Sequence, residues 1–293
     1  MIKIIGKTNI NFIQKRYYFF AFSGLLTLAG IISMSIKGIN LGLDFTGGTM
    51  VQVKFENKVD ISQIRTSLQN EKIEASIQSY DNNSYGIKIK GKQENVNEIA
   101  DKIINALSKN INTKFIEEKR DYVGPVVGKD LAKKAIFSII LSFFGIIVYI
   151  AFRFSNPVWG TTGVIALMHD VFIAMSFLSF TNREIDLVIV AALLTIAGYS
   201  INDTIVIYDR MRENIKKFPK MPMPQLINTS INETLSRTIN TSLTVIFVVF
   251  ILFLFGGSGI NDFSFCMLVG CIIGVYSTIA IATPLAYEWE RHN

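Results

Sequence analysis

A few ionisable side chains lie inside or beside long apolar runs, where they could carry protons. Asp203 lies in "AGYSINDTIVIYDRMREN", six residues before Asp209, where an apolar run gives way to a basic segment. Arg237 stands in "NETLSRTINTSLTV", at the start of the next apolar run, and His169 and Asp170 lie midway along an earlier one. A charged group at the centre of a bilayer costs roughly 3 kcal/mol or more, so such residues are functional candidates by default.

Asp203 and Arg237 could cooperate in moving a proton. At ~1.5 Å per residue, Asp203 lies about 9 Å inside the boundary marked by Asp209. The two runs are antiparallel neighbours, so both residues fall at similar depth and could pair. A structural interpretation stays open for each: Asp203 could lock two helices together, and Arg237 could snorkel to the interface.

Polar neighbours surround both positions. Asn202 and Thr204 flank Asp203. Four hydroxyl side chains follow helical spacing along the run that contains Arg237, and such a face can hold water or mediate helix packing. These hydroxyl residues are Thr234, Thr238, Thr241 and Ser242.

His169 and Asp170 could relay protons at mid-membrane depth or bond to a neighbouring helix. Asp170 and Asp203 together also raise an alternative of another class, an intramembrane aspartyl protease, in which two aspartates share one proton. Counted from the same end of their spans, Asp170 lies about twice as deep as Asp203. The depths match poorly, and the sequence favours a protein that is not an enzyme.

Six apolar runs must position these residues. The 293-residue chain is 50% hydrophobic and 18% charged, with a mean hydropathy of +0.37, which is typical of a polytopic membrane protein. Each run approaches the ~20 helical residues needed to cross a ~30 Å hydrocarbon layer. The fifth run is short and is expected to extend back into the polar segment before it. The predicted spans are 17–36, 135–152, 158–180, 186–208, 239–255 and 263–287.

The basic flanks of these runs predict the orientation. The first run is longer than the usual ~7–15 apolar residues of a signal peptide, which favours an uncleaved anchor. Lys and Arg cluster in the N-terminal segment and between the fourth and fifth runs, so both termini are predicted to be cytoplasmic. Lys129, Lys133 and Lys134 run against this rule but follow a translocated domain. The net charge of +6 follows from topology and does not indicate nucleic-acid binding.

Between the first two spans the pattern is that of a small α+β domain. Alternating and helical segments follow one another in the order βαββαβ, the split ferredoxin-like arrangement, with Asp60 as a helix N-cap. A hairpin is expected across residues 81–84. The chain therefore divides into a first span at 1–36, an extracytoplasmic domain at 37–130 and a five-helix membrane bundle at 131–293.

The stretch "LGLDFTGGTM" joins the first span to this domain. A phosphate-binding loop would need a helix after its glycines, whereas an alternating strand follows here. Gly47 and Gly48 are expected to let the backbone turn sharply, and Asp44 to cap or bond nearby backbone groups. Gly42 and Phe45 complete the motif.

No cofactor or metal is predicted. The two cysteines, Cys266 and Cys271, lie five residues apart in one apolar run. This spacing does not place them on one helical face and indicates neither a disulfide nor a metal site.

The order of several motifs resembles the SecF branch of the SecD/SecF family of bacterial Sec translocon subunits, within the resistance–nodulation–division superfamily. The motifs are "GLDFTGGT", "VGPVVGKDL", "MHD", "AGYSINDTIVIYDRMREN" and "NETLSRTINTSLT". Together they cover essentially the whole chain. Phe45, where SecD usually has Leu, and the small domain favour SecF over SecD.

The resemblance implies an accessory subunit of protein export in the bacterial inner membrane. It implies pairing with SecD and association with the SecYEG channel, with SecA, YidC and YajC as further partners. The unit would use the proton-motive force to promote the export of unfolded preproteins. The family's "NDT" aspartate and "RT" arginine map onto Asp203 and Arg237, which implies a role in proton transport. The alternative is a half-unit of a proton-driven small-molecule or lipid exporter.

Overall fold

The computed structural model describes residues 8–80, 83–91, 96–154 and 156–292. Six of its helices are long and apolar enough to cross a membrane, as predicted. In chain order the elements are α1 (Arg16–Lys37), α2 (Leu43–Thr46), β1 (Gly48–Phe55), α3 (Ile61–Asn70), β2 (Ser76–Ser79), β3 (Ser84–Lys90), α4 (Val96–Asn110), β4 (Phe115–Val123), α5 (Pro125–Arg153), α6 (Pro157–Phe180), α7 (Leu187–Lys217), α8 (Met223–Phe255), α9 (Ser258–Ser277), a π-helical turn (Thr278–Ala282) and α10 (Thr283–His292).

Several membrane helices run past the apolar runs that predicted them. The fifth, α8, begins at Met223, so the expected backward extension is confirmed. The fourth, α7, continues to Lys217, and its polar end is held to α8 by an ion pair between Arg210 and Glu233 at 2.7 Å. Apolar composition identifies only the part of a helix that can lie in the hydrocarbon layer. The polar ends of α7 and α8 therefore fall outside the predicted spans.

The sheet domain comprises β1 to β4 with α3 and α4. Its strands lie in the order β2-β3-β1-β4, and each neighbouring pair is antiparallel, which confirms the predicted ferredoxin-like βαββαβ order. Asp60 caps α3, accepting a 3.1 Å bond from the Ser62 amide. In the predicted hairpin, β2 and β3 pair as expected, while residues 81 and 82 lie outside the described residues. The apolar side of the sheet packs on both helices, around Val51, Val53, Ile87, Ile103 and Leu107.

The membrane bundle has an inner layer and an outer layer. In the most apolar window of each span, half or more of the residues are buried for α6, α7 and the last span, against 17% or less for α1, α5 and α8. Gly270 and Gly274 of α9 let this helix approach α7 closely, because a Cβ at Gly270 would lie 2.2 Å from the Ile196 side chain. This is a small-residue packing motif of membrane helices, which was not predicted although its spacing is visible in "GCIIG".

The motif between α1 and β1 is a tight joint. A single helical turn, α2, precedes the two glycines, and Gly47 and Gly48 have φ values of 70° and 141°, consistent with the sharp turn expected there. A Cβ at Gly48 would lie 2.1 Å from the Ile89 carbonyl oxygen. Glycine is therefore required at this position both by conformation and by space.

Replacing Gly48 with Ala should destabilise the sheet domain by about 3 kcal/mol or more, since a strained backbone and a steric clash add. The measurement is the thermal unfolding midpoint of the purified chain in mild detergent. Gly91→Ala is the matched control, because Gly91 has a φ of 120° but a Cβ added there would meet no atom within 4 Å. Equal losses in the two variants would show that the clash with Ile89 contributes nothing.

Candidate functional site

The Asp170 carboxylate lies fully buried between α6, α7 and α9. Ser200 of α7 and Ser277 of α9 donate hydrogen bonds of 2.5 and 2.6 Å to its Oδ2 atom. His169 Nδ1 lies 3.1 Å from the other oxygen, Oδ1. Three helices thus meet at one carboxylate, and both of its oxygens have a polar contact.

Asp203 lies nearly one turn beyond Ser200 along α7 and is 4% exposed. The buried face of α7 includes Ser200, Asp203, Thr204 and Ile207, the i, i+3, i+4, i+7 spacing of one helical stripe. Among the residues that the structure describes, its carboxylate accepts one long bond of 3.3 Å, from Ser242 of α8. Asp203 is therefore far less satisfied than Asp170, and a change of its protonation alters fewer bonds.

Hydroxyl groups continue from these carboxylates away from the sheet domain. Thr204 and Thr278 lie 3.0 Å apart, and Thr278 opens the π-helical turn. Farther along, Tyr208 lies 2.7 Å from the Thr162 hydroxyl and donates to the Ala282 carbonyl at 2.9 Å. π-Helical turns inside α-helices occur frequently at functional sites, and here the turn brings side chains of the last span to those of α7.

Arg237 does not form the ion pair with Asp203 that the sequence suggested. It is close enough to act on Asp203 electrostatically, but it is exposed, and in the described chain it forms no ion pair with that carboxylate. The reason is the phase of α8: Thr234, Thr238 and Ser242 are buried against the bundle. Arg237 lies one position before Thr238 and falls on the outer face.

The predicted supporting residues divide between the two sides. Thr204 joins the buried hydroxyl groups, whereas Asn202 and Thr241 are exposed. The Thr241 hydroxyl bonds to the Arg237 carbonyl of its own helix at 3.0 Å. The hydroxyl face expected on α8 is therefore two faces, an inner one that contains Ser242 and an outer one that contains Thr241.

Several buried polar atoms near the carboxylates lack a hydrogen-bond partner among the described residues. They are Tyr199 Oη, Thr238 Oγ1, Asn240 Oδ1 and His169 Nε2. An unsatisfied buried polar group costs about 1–3 kcal/mol. Such groups therefore favour contact with water or with polar groups of another chain.

The geometry disfavours an aspartyl protease. Asp170 and Asp203 have different hydrogen-bond donors, and in the described part of the chain no hydrogen bond joins them. Within the residues that the structure describes, no group of three His, Cys, Asp or Glu is placed to hold a metal ion. Cys266 and Cys271 are free and buried.

Two contacts of this site were not predicted from the sequence. In the sequence, Ser277 and Thr278 are marked only as two adjacent small polar residues in the apolar run "CIIGVYSTIAIATP". Such small polar residues are common in membrane helices. Asp44 bonds to a backbone group, as expected, but this group is the Leu187 amide at 3.0 Å, 143 residues away in the sequence. Asp44 thereby contributes to the N-terminal cap of α7, the helix that carries Asp203.

Removing the Ser277 hydroxyl with Ser277→Ala should lower the free energy of unfolding by about 1–3 kcal/mol, because a buried acceptor loses a donor. The measurement is denaturant unfolding in detergent. Thr195→Ala, which removes an exposed hydroxyl that bonds to the Ala191 carbonyl of its own helix, should change stability by less than about 0.5 kcal/mol. Similar effects of the two substitutions would contradict the importance of the bond to Asp170.

Comparison with known proteins places the chain in a family. The family model "Protein export membrane protein SecD/SecF, C-terminal" matches residues 103–292, and the "SecD/SecF GG Motif" model matches residues 32–59, which contain the joint. The protein translocase subunit SecF of Endomicrobium trichonymphae is 39% identical over 295 residues, 99% of this chain and 94% of its own. That of Calditerrivibrio nitroreducens is 43% identical over 97% of this chain and 95% of its own.

Solved structures agree with this placement. The crystal structure of SecDF from Thermus thermophilus, a translocon-associated membrane protein, matches with a TM-score of 0.87 and 32% identity over 97% of this chain. This chain covers only 39% of that longer one. A second SecDF structure, in a super-membrane-facing form, matches with a TM-score of 0.74. On the length and identity of these matches, the chain belongs to the SecD/SecF family of protein-export membrane proteins, among its SecF members.

Proposed function

We propose that this multi-pass membrane protein is an accessory subunit of the bacterial Sec translocase that uses proton movement at Asp203 to promote preprotein export. The observation that carries the proposal is the contrast between its two buried carboxylates. Asp170 accepts bonds from serines of two other helices and contacts His169 of its own, whereas among the described residues Asp203 has one bond of 3.3 Å and a nearby exposed arginine. The first suits a fixed structural centre, and the second suits a group that gains and loses a proton.

The energetics of this proposal are sufficient for movement. One charge crossing a potential of 100 mV is worth ~2.3 kcal/mol, so several protons can bias a substantial rearrangement. Such a bias requires two packings whose energies differ with the charge of Asp203. One of the two SecDF structures is described as a super-membrane-facing form, which supports a fold with more than one arrangement.

The outer face of α7 and α8 indicates a membrane-embedded partner. Asn202, Arg237, Thr241 and Thr244 are all exposed in the isolated chain, and polar groups facing lipid are costly. A partner helix with complementary polar groups would cover them and complete the hydrogen bonding of Asn240. A SecD-type subunit is the natural candidate, since the SecDF chain is more than twice the length that this chain matches.

Further elements of the proposal rest on family membership. The SecYEG channel, SecA, YidC and YajC would be the wider partners, and an emerging preprotein the substrate of the sheet domain. The chain would reside in the inner membrane with both termini cytoplasmic, and would divide at residues 37 and 131 as the sequence predicts. The relatives are protein translocase subunits, and they do not favour the exporter alternative.

Asp203→Asn should abolish the part of export that depends on the proton-motive force while leaving assembly intact, because the amide keeps the shape but cannot ionise. The assay is preprotein import into inverted membrane vesicles, with and without an imposed potential. Glu213→Gln, on the same helix but largely exposed, is the control and should export normally. Undiminished, potential-dependent export by the Asp203→Asn chain would defeat the proposal.

A cysteine at Thr241 should crosslink to a SecD-type subunit in membranes, because the outer face of α8 is expected to lie at the contact. Leu25→Cys provides the comparison. This α1 side chain is 67% exposed and lies on an apolar face that can contact lipid directly. The introduced cysteine would be labelled with a thiol-reactive photocrosslinker in intact membranes, and the crosslinked products would be identified by mass after irradiation. Crosslinking at residue 25 without any at residue 241 would place the partner on another face.

A further inference from the structure

The loop between α6 and α7 touches two bodies of the protein at once. This junction loop, residues 181–186, lies at the end of the bundle next to the sheet domain. Its consecutive side chains point in different directions: Arg183 bonds within the membrane bundle, and Glu184 bonds to the sheet. The loop leads directly into α7, which carries Asp203 about four turns later.

Glu184 is held by two lysines of β3. Lys88 Nζ lies 2.5 Å from one carboxylate oxygen, and Lys90 Nζ lies 3.4 Å from the other. The side chains of Lys88 and Glu184 are only 14% and 18% exposed, so solvent screens this pair less than an ordinary surface ion pair. Lys88 also donates to Gln78 of β2 at 3.0 Å, which extends the contact across two strands.

The backbone reinforces the same connection. The Gly42 amide donates to the Ile185 carbonyl, and the Ile185 amide donates to the Asn40 carbonyl, each at 2.8 Å. Asp44 then caps α7 at Leu187. The joint between α1 and β1 is therefore hydrogen-bonded to the residues that lead into α7 and begin it. A displacement of α7 along its axis must also move the joint.

Arg183 anchors the other side of the loop. Its guanidinium pairs with Asp262, donates to Asn261 at 2.7 Å and stacks 4.3 Å from the centre of the Phe265 ring. These three residues belong to α9, the helix that supplies Ser277 to Asp170. The loop that connects the two helices carrying the buried carboxylates is thus also bonded to α9, which donates to Asp170.

We propose that Glu184 is a positioning residue that transmits movement of α7 to the sheet domain. This inference rests on the proposed function, because it assigns the route by which a proton-driven shift at Asp203 reaches the domain. Glu184 takes no part in proton transfer itself. Its ion pairs with Lys88 and Lys90 make the sheet follow the loop, and their loss weakens this connection while the buried carboxylates remain in place.

The test is whether export can be reduced without a matching loss of proton influx. In vesicles containing the full chain with its partner subunits, Glu184→Gln should keep proton influx near the unmodified level and reduce potential-dependent export severalfold. The double substitution Glu184→Lys with Lys88→Glu should restore part of the export that Glu184→Lys alone loses, since it recreates the shorter pair with its charges exchanged while Lys90 stays positive. A residue that merely stabilises the fold would lower influx and export together, and exchanged charges would not rescue it.

The matched control is Glu71→Gln, which breaks the 2.8 Å pair with Lys109 inside the sheet domain and should leave export unchanged. Normal export by Glu184→Gln, parallel loss of influx and export, or failure of the exchanged pair to restore export would each overturn this inference. Asp203→Asn is measured in the same vesicles. If that variant still admits protons at the normal rate, the proposed function fails at Asp203, an outcome distinct from a failure at Glu184.

Discussion

Burial of the Asp170 carboxylate in the middle of the bundle is the constraint on which the rest of the structure depends. A charge or an unbonded carboxyl in this environment is costly, so each helix around it must bring a donor to within hydrogen-bond distance. Ser200 and Ser277 do so only because α7 and α9 approach closely. The glycines at 270 and 274 make that approach possible, and larger side chains there would pull Ser277 away from the carboxylate.

This arrangement explains why the two aspartates differ. Donors from α7 and α9 converge on Asp170, and its surroundings leave little freedom. Asp203 faces α8 instead, an outer helix whose inner hydroxyls are spaced four residues apart and whose Thr238 hydroxyl makes no bond within the described chain. The loosely bonded carboxylate of Asp203 thus lies beside an outer helix of the bundle, and the tightly bonded carboxylate of Asp170 lies among the inner ones. If Asp203 gains and loses a proton as we propose, fewer hydrogen bonds have to change at the α7–α8 contact than around Asp170.

The sequence predicted the elements and the expensive residues well, for physical reasons. Apolar runs and alternation report burial directly, so six spans and the βαββαβ order follow from them, and an aspartate in an apolar run is conspicuous. The contacts that these side chains make were harder to predict. Ser277 looks like any small residue of a membrane helix. The side of α8 on which Arg237 lies depends on a helical phase that the short apolar run leaves undetermined, and the bond from Leu187 to Asp44 spans 143 positions.

The long-range contacts that the sequence did not reveal also connect the sheet domain to the membrane bundle. As a single helix of 31 residues, α7 extends about 46 Å, with Asp44 at its first turn and the Arg210–Glu233 pair near its last. A rod of this kind transmits an axial shift without absorbing it, provided that both ends are attached. Capping by Asp44 and the backbone bonds of Ile185 to residues 40 and 42 attach the domain end of α7 to the joint. The pairs of Glu184 with β3 add an attachment on the sheet itself, away from the helix axis. If α7 shifts as we propose, attachment at both the joint and the sheet converts the shift into a tilt of the sheet, whereas attachment at the joint alone would let the domain rotate about it.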